Sequence, residues 1–267
     1  MNLLFSIDQK FVPLLINCLK SIDRFKAAQP YNVYILNSDL SDKNIDGIKN
    51  AVSGTMAIHN VFVDPGLFSD FPVSSRYPMQ IYYRIIAASL LPAELDRALY
   101  LDVDTVVINP LDKFYEMNFD GAYYIACTHV SSFLNKMNCI RLGIKKQKPY
   151  INSGVMLMNL KALREQQNTD DIVDFVKINK SKLLLPDQDI ISALYGEKIT
   201  LADSRIYNLS DQILLLHNAT HLCNDRLNID WIRENSVIIH YCGRNKPWNE
   251  RYMGILDIFY HELNQQS

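Results

Sequence analysis

Residues 3–22 have the sequence LLFSIDQKFVPLLINCLKSI, which changes from a short apolar run to a segment with a helical pattern. The run 3–7 has the length of a buried strand, and Asp8 ends it. The apolar residues after it recur three and four positions apart, on one face of a helix: Phe11, Leu14, Leu15, Cys18, Leu19 and Ile22. This part of the chain therefore predicts a strand, a loop and a helix.

The same alternation continues through the first hundred residues. Apolar runs at 33–36, 58–63 and 98–101 predict three further strands. A helix capped by Ser41 is expected between the first two of these runs, and residues 81–90 predict another before the third. Strands that alternate with helices form a mostly parallel sheet covered on both faces, so we predict a fold of the α/β class. Ligands of such sheets bind beyond the carboxyl ends of the strands.

The rest of the sequence is less regular. No pattern stands out between residues 203 and 233. The predicted strands cover 106–108, 122–126, 154–158 and 237–240, and the predicted helices cover 161–166, 172–178, 186–196 and 249–263. Because no internal repeat or linker divides the chain, we expect a single domain over residues 1–267.

The composition is that of an ordinary globular protein. Lys and Arg total 27 against 29 Asp and Glu, so the formal net charge of −2 excludes nucleic-acid binding through bulk charge. The five cysteines include no C-x-x-C pair, which argues against a disulfide framework and a thiolate zinc site. No apolar run approaches the roughly 20 residues of a membrane helix, and Asp8 interrupts the first run before a signal peptide could form. We therefore expect a soluble, cytoplasmic protein without a transmembrane segment.

The sharpest chemical motif is YLDVDTVV at residues 100–107. Side chains two positions apart on an extended segment point the same way, so Asp102 and Asp104 converge at the carboxyl end of a predicted strand. Carboxylate oxygens suit Mg²⁺ or Mn²⁺, which complete their coordination with substrate phosphate oxygens. An isolated D-x-D is common, so the pair could also mark a strand end by chance.

The same stretch resembles the nucleophile motif of haloacid-dehalogenase-type phosphatases. In that hypothesis Asp102 would accept the phosphoryl group and Asp104 would act as acid and base. However, the motif follows three strand-helix units instead of lying near the chain start, and the sequence contains no G-D pair for the second metal motif of that family.

Three further motifs are INSGVMLMNL (151–160), LPDQDII (185–191) and HYCGRNKPW (240–248). Together with YLDVDTVV they resemble the retaining glycosyltransferases of family 8, which include bacterial lipooligosaccharide galactosyltransferases, general-stress-protein-like enzymes and glycogenin. The resemblance runs from Phe5 to Trp248, and H-Y-C-G-x-x-K-P-W is highly specific. It implies the GT-A fold, in which the D-x-D motif holds a manganese ion that bridges the diphosphate of a UDP-sugar.

The resemblance assigns roles residue by residue. Asp102, Asp104 and His240 match the protein ligands of Mn²⁺, with Mg²⁺ also possible. The residues that match contacts to the donor nucleotide and sugar are Asp8, Arg84, Asp102, Asn152, Gly243 and Lys246. Asp187, like Asn152 and Arg84, matches a residue that holds the donor sugar's hydroxyls and the diphosphate region, and Gln188 matches the residue beneath the anomeric carbon. The resemblance thus makes Gln188 and Asp187 the expected catalytic residues.

Most of these residues also have a structural interpretation. Without its motif, His240 after an apolar run is typical of a buried core histidine, while Arg84 and Lys246 are typical surface charges. The family usually has paired acids near uracil and ribose, whereas this chain has Ile7 at the first of those positions. Gln9 is a plausible substitute there.

The implied reaction moves a hexose, galactose or glucose, from a UDP-sugar to a saccharide or glycolipid hydroxyl, as in the biosynthesis of lipopolysaccharide or other cell-surface glycans. Gln188 is an amide and a poor nucleophile, which favours attack by the acceptor on the same face that the phosphate leaves. A covalent intermediate through Asp187 is the minority alternative, and a non-catalytic nucleotide-sugar-binding protein is a further one. We expect residues 1–105 to form the nucleotide-binding half and 106–267 the acceptor-side half with the C-terminal helix.

Other features of the acceptor side are less informative. The short basic cluster at 145–148 predicts a solvated loop; the alternatives are contact with an anionic acceptor or closure over the donor. The chain closes on FYHELNQQS, which contains no basic run for membrane contact, so we expect weak peripheral membrane contact at most. The sequence leaves the oligomeric state open.

Overall fold

The computed structural model describes residues 1–25, 30–52, 54–144, 148–222 and 225–265. Residues 145–147 of the basic cluster and Cys223 therefore lie outside the described residues. The strands within these ranges are β1 (Asn2–Ser6), β2 (Tyr31–Asn37), β3 (Met56–Phe62), β4 (Arg97–Leu101), β5 (Thr105–Val107), β6 (Tyr124–Ala126), β7 (Val155–Asn159), β8 (Ile199–Leu201) and β9 (Ile238–His240).

Two sheets organise these strands. The larger has seven strands in the order β3-β2-β1-β4-β7-β6-β8, and the smaller pairs β5 with β9. In the large sheet β7 runs antiparallel to both of its neighbours, while β1, β2, β3 and β4 pair in parallel, as do β6 and β8. The predicted mostly parallel α/β sheet is therefore confirmed.

Helices connect and cover these strands. The α-helices of the described ranges are α1 (Val12–Asp23), α2 (Asp42–Ala51), α3 (Ala87–Leu90), α4 (Asp112–Tyr115), α5 (Ser132–Arg141), α6 (Leu160–Gln166), α7 (Thr169–Asn179), α8 (Pro186–Tyr195), α9 (Ser204–Tyr207), α10 (Asp211–Thr220), α11 (Ile229–Asn235) and α12 (Asp257–Gln265). Turns of 3₁₀ helix lie at Gln9–Phe11, Pro65–Phe68, Met79–Ile86, Lys180–Lys182 and Gly196–Lys198. In the ranges that the structure describes, every helix is too short or too polar to cross a bilayer.

The local predictions hold best in the first half of the chain. Ser41 caps α2 as expected, with its hydroxyl accepting from the Asn44 amide. The predicted helix at 81–90 is a 3₁₀ helix over Met79–Ile86, and only the following turn, α3, is α-helical. The predicted final helix at 249–263 is wrong in its first half, because α12 starts only at Asp257.

Four helices and one strand of the described ranges were not predicted in the second half of the chain. The region 203–233, in which no pattern stood out, contains α9, α10 and α11, and α5 and β8 were also missed. In α10 only Leu214 is buried, so the helix carries no apolar stripe wide enough to mark it.

The core lies on both faces of the large sheet. Successive side chains of β1 alternate between two apolar clusters, with Leu3 and Phe5 in one and Leu4 in the other. In β4 the second cluster takes Ala98 and Tyr100. Continuing that alternation, Asp102 emerges on the Tyr100 side, where the Met79–Ile86 helix packs.

Candidate active site

A cavity of about 550 Å³ opens at the carboxyl end of β4. All ten residues for which the sequence predicts a site role line it: Asp8, Arg84, Asp102, Asp104, Asn152, Asp187, Gln188, His240, Gly243 and Lys246. They come from the ends of several strands, from α8 and from the loop after β9. The structure therefore brings the predicted residues to one place, and their roles remain predictions.

Two carboxylates and one imidazole form a compact cluster in this cavity. One potential ligand atom from each of Asp102, Asp104 and His240 lies within 4.8 Å of the other two. The Nε2 atom of His240 is 3.2 Å from Oδ1 of Asp104 and 3.9 Å from Oδ2 of Asp102. Two hard oxygen donors and an imidazole nitrogen form a set that suits a small divalent cation.

The small sheet creates this cluster. β5 pairs antiparallel with β9, so that Thr105 lies opposite His240, and the Tyr241 amide donates to the Asp104 carbonyl at 3.0 Å. This pairing joins residues far apart in the sequence. It also explains why a histidine after an apolar strand reaches the two acids.

Gly154 leaves room for the cluster. A Cβ atom at this position would lie 2.5 Å from Oδ2 of Asp102 and 2.5 Å from Cε1 of His240. The Gly154 carbonyl also accepts from the Asp102 amide at 2.7 Å, which holds the two backbones together. Only glycine fits this close approach, so the small residue in the 151–160 motif has a physical cause.

A chain of buried amides fixes the tautomer of His240. Oδ1 of Asn152 accepts from the Gly154 amide at 3.0 Å, which orients the Asn152 side chain. The same oxygen accepts from Nδ2 of Asn208 at 3.0 Å, so Oδ1 of Asn208 faces Nδ1 of His240, 2.8 Å away. Nδ1 therefore carries the proton. The Nε2 lone pair is left to face the carboxylates, as a metal ligand requires.

Lys246 provides the positive charge beside the cluster. Its Nζ atom contacts Oδ2 of Asp104 and donates to the Tyr241 carbonyl at 2.7 Å. Burial favours a higher pKa for Asp104, but His240, when its imidazole is protonated, and the ammonium of Lys246 outweigh it and hold that pKa well below its usual range. Gly243 has a φ of +91°, in the left-handed region that favours glycine, and this turn brings Lys246 back over the cavity.

Arg84 forms ion pairs with two acidic residues of the cavity, Asp102 and Asp187. Its guanidinium lies 3.0 Å from Asp102 and 3.2 Å from Asp187, and it stacks 4.3 Å above the ring of Tyr100. Asp187 also accepts from the Ser153 hydroxyl at 2.6 Å. Burial raises the pKa of Asp187, and Arg84 and Ser153 hold part of that rise back. The structural interpretation of Arg84 as a surface charge is thus wrong, because only 5% of the residue is exposed.

Gln188 is held through its carbonyl oxygen. Oε1 accepts from Nδ2 of Asn152 at 3.0 Å and from the Ser153 amide at 3.3 Å. Both Asp187 and Gln188 lie in the first turn of α8, where Pro186 occupies the start of the helix. The side chain of Gln188 is therefore fixed at the cavity wall by the strand-end motif 151–160.

Asp8 lines the same cavity. Its carboxylate accepts from the Lys10 amide at 2.8 Å and caps the Gln9–Phe11 turn, with no resolved contact to the acidic cluster. Ile7 is buried, whereas Gln9 is absent from the residues that line the cavity. The expected substitution by Gln9 remains a prediction that this arrangement does not favour.

Several residues of the site were missed by the sequence analysis. Tyr100, Ser153 and Asn208 complete the hydrogen-bond network, and His129 lines the cavity with a buried Nδ1 that has no hydrogen-bond partner among the described residues. Burial and the nearby His240 lower the pKa of His129 to about 4, so its imidazole is neutral at pH 7. Tyr100 and Ser153 stand inside quoted motifs and could have been found, but nothing around Asn208 marks it.

A comparison with known protein families gives a match over nearly the whole chain. A family model described as Glycosyl transferase family 8 matches residues 2–251. A lipopolysaccharide 1,2-glucosyltransferase of Escherichia coli is 25% identical over 252 residues, which are 93% of this chain and 73% of that protein. General stress protein A of Bacillus subtilis is 26% identical over 190 residues, which are 70% of this chain and 65% of that protein.

Solved structures give the fold. The crystal structure of galactosyltransferase LgtC in complex with donor and acceptor sugar analogues superposes with a TM-score of 0.82 at 23% identity, covering 100% of this chain and 96% of that one. The glycosyltransferase GlyE of Streptococcus pneumoniae TIGR4 superposes with a TM-score of 0.72 at 19% identity, covering 98% of this chain and 59% of that one. At these identities the likeness shows a shared fold, and the predicted GT-A fold is confirmed.

Proposed function

Because the chain belongs to glycosyltransferase family 8 and is a hexosyltransferase, we propose that it moves galactose or glucose from a UDP-hexose to a saccharide or glycolipid hydroxyl, with retention of configuration. The observation that carries this proposal is the convergence of Asp102, Asp104 and His240 beside Lys246, Asp187 and Gln188 in one cavity. We place the nucleotide in the half formed by residues 1–105 and the acceptor in the half formed by 106–267.

The names of the relatives indicate which class of acceptor this chain uses. Several are lipopolysaccharide glucosyltransferases or galactosyltransferases, including a lipopolysaccharide 1,3-galactosyltransferase of Salmonella typhimurium that is 21% identical over 266 residues. These names support a glycolipid or cell-surface glycan as acceptor. They include both hexoses, so the donor sugar stays either galactose or glucose. A cytoplasmic location fits the free thiols of the described cysteines.

The residues present fit a divalent cation, Mn²⁺ or Mg²⁺. Asp102, Asp104 and His240 would hold it, because the amide chain leaves the His240 lone pair free and Gly154 leaves the space. When bound, such a cation supplies positive charge that stabilises the departing diphosphate.

The residues of this chain arrange the rest of the reaction. Lys246 places an ammonium group over the same region, where it neutralises charge on the leaving phosphate. Arg84 fixes Asp102 and Asp187 relative to each other through two ion pairs. Asn152 and the Ser153 amide hold the Gln188 amide, so its dipole is oriented before the substrate arrives.

Same-face attack by the acceptor hydroxyl suits this arrangement better than a covalent intermediate. The Gln188 oxygen is engaged by two donors and belongs to a poor nucleophile. Oδ2 of Asp187 faces Arg84 and also accepts from the Ser153 hydroxyl, and these two contacts reduce the nucleophilicity of that oxygen. The departing phosphate is then the base that assists the acceptor.

The test measures UDP binding and UDP-hexose hydrolysis, which do not require the acceptor. Calorimetry should show UDP binding with Mn²⁺ that EDTA abolishes, and Asp104→Asn should lose most of the metal affinity. Asp112→Asn, in the first turn of α4 and away from the cavity, is the matched control and should behave as wild type. Equal UDP affinity in EDTA would refute the proposal.

Two further variants separate this proposal from a phosphatase and from a non-catalytic nucleotide-sugar-binding protein. A phosphatase would hydrolyse p-nitrophenyl phosphate and lose that activity in Asp102→Asn, whereas we expect no turnover of this substrate. A binding protein without activity would retain UDP-hexose intact. Slow UDP release that Asp187→Ala abolishes would identify the enzyme, and product NMR that shows an α-linkage from an α-linked donor would establish retention.

A further inference from the structure

Helix α5 turns its apolar side to solvent. In α5 only Cys139 is buried, while Phe133, Met137 and Ile140 have 69%, 50% and 64% of their surface exposed. These three recur at positions i, i+4 and i+7, so they lie on one face of the helix. Soluble helices usually bury such a face, and we call these three residues the α5 face.

Side-chain contacts anchor the α5 helix although the α5 face is exposed to solvent. Arg141 near its end donates to both carboxylate oxygens of Asp189, at 2.9 and 2.7 Å, and also contacts the Lys182 carbonyl. Asp189 is fully buried in α8, next to Gln188. The position of the α5 face is therefore tied to the catalytic helix, and its exposure does not reflect a loose segment.

The α5 face lies at the rim of the active-site cavity. Val130 just before the helix and Leu134 in its first turn both line the cavity. Leu134 is itself 48% exposed, so the apolar surface continues from the α5 face to the cavity mouth. A partner that covers the α5 face would consequently lie beside the opening through which an acceptor reaches the donor sugar.

Basic residues predominate around the α5 face, and the acidic Glu197, which lies beside residues 142–144 after the helix, is 4.0 Å from the Lys148 ammonium. No acidic residue occurs from 121 to 164 or from 175 to 186, although the whole chain has more acidic than basic residues. Lys136 lies on α5 itself, and the exposed Lys177 and Lys182 flank the segment that Arg141 contacts. An apolar helix face bordered by lysines is the pattern that binds an anionic lipid surface.

We propose that the α5 face docks on an anionic phospholipid membrane, with Phe133, Met137 and Ile140 inserted at the level of the headgroups and Lys136 and Lys182 beside the phosphates. Docking places the cavity mouth at the lipid surface, where a glycolipid presents its sugar. Only this last clause rests on the proposed function, since the docking itself needs no donor or acceptor.

Vesicle sedimentation of the full chain tests the proposal. The wild type should bind mixed vesicles that contain phosphatidylcholine and phosphatidylglycerol in a 1:1 ratio, and salt should weaken this binding. It should bind vesicles of pure phosphatidylcholine far less. The double variant Phe133→Ser, Ile140→Ser should lower the partition coefficient by at least about tenfold, because two inserted apolar side chains are lost. Its UDP-hexose hydrolysis should stay at the wild-type rate.

A matched control removes exposed apolar residues elsewhere. Leu215 and Leu216 on α10 are 70% and 54% exposed, and Leu215→Ser, Leu216→Ser should leave vesicle binding unchanged. Equal losses in both double variants, or no binding of the wild type to anionic vesicles, would overturn the proposal. Light scattering that shows a wild-type dimer and a monomeric Phe133→Ser, Ile140→Ser variant, with no vesicle binding by either, would assign the α5 face to a second copy of the chain and also overturn it. Vesicle binding is read without any donor, so its failure is distinct from a failure of UDP-hexose hydrolysis.

Discussion

Replacing Asn208 should weaken metal binding although this residue is not a ligand. Its Oδ1 accepts from Nδ1 of His240 at 2.8 Å, and its Nδ2 donates to Asn152 at 3.0 Å. In Asn208→Ala, Nδ1 of His240 loses its acceptor, so the imidazole is free to adopt the tautomer whose Nε2 carries a proton and cannot bind metal. Partners of histidine ligands typically contribute about 10- to 100-fold in metal affinity.

This range corresponds to about 1.4–2.8 kcal/mol of binding free energy. We expect the Kd for Mn²⁺, measured by calorimetry or by electron paramagnetic resonance of free Mn²⁺, to rise by that factor. Asn208 is fully buried, so the variant also leaves Nδ1 of His240 without a partner and should lose about 1–3 kcal/mol of unfolding free energy, whereas Oδ1 of Asn152 keeps the Gly154 amide as a donor. The measurement therefore belongs well below the melting temperature of the variant.

A second buried asparagine separates the two effects. Asn179 is 7% exposed, and within the described part of the chain its side-chain amide donates to the Phe175 carbonyl of its own helix, so Asn179→Ala should lower stability without changing Mn²⁺ affinity. Asn208→Asp keeps an acceptor for Nδ1 of His240 and should retain more metal affinity than Asn208→Ala. An Asn208→Ala protein that is folded and binds Mn²⁺ as tightly as the wild type would refute the tautomer argument.

Three further changes test other parts of the site. Gly154→Ala should abolish measurable Mn²⁺ binding, because its methyl group would overlap two of the predicted ligands. In the control Gly47→Ala the new methyl group has nothing within 4 Å, so Mn²⁺ binding should stay intact. Equal effects of the two substitutions would contradict this reasoning. Ser153→Ala removes a hydrogen bond that lowers the already raised pKa of Asp187, so the acid limb of the hydrolysis rate should move to higher pH, and an unmoved limb would show that Asp187 does not titrate there. Gln188→Ala should slow transfer roughly a hundred- to a thousandfold without abolishing it, because one oriented dipole is lost; a glycosylated Gln188 or Asp187 peptide in mass spectrometry would instead show a covalent route.

The site residues that could be predicted are those whose sequence motif lies at the end of a predicted strand. The alternation of buried runs with helices placed Asp102 and Asp104 at the carboxyl end of β4, and the 240–248 motif pointed to His240 and Lys246. What was missed lacks such a pattern. Helix α10 buries a single residue, and the 249–256 segment carries helical spacing although α12 begins only at Asp257. Periodicity does not report whether a neighbouring element is there to bury the stripe.

The sequence by itself determined the α/β alternation, the strand ends and the residue types available for chemistry, because these follow from local hydrophobic periodicity and from side-chain chemistry. Only the tertiary structure decided which of these residues meet. The pairing of β5 with β9 brings His240 to the two acids, and the amides of Asn152 and Asn208 select its tautomer over a sequence separation of 56 residues. Hydrogen bonds between distant segments depend on how the chain folds back on itself, and no local pattern encodes them.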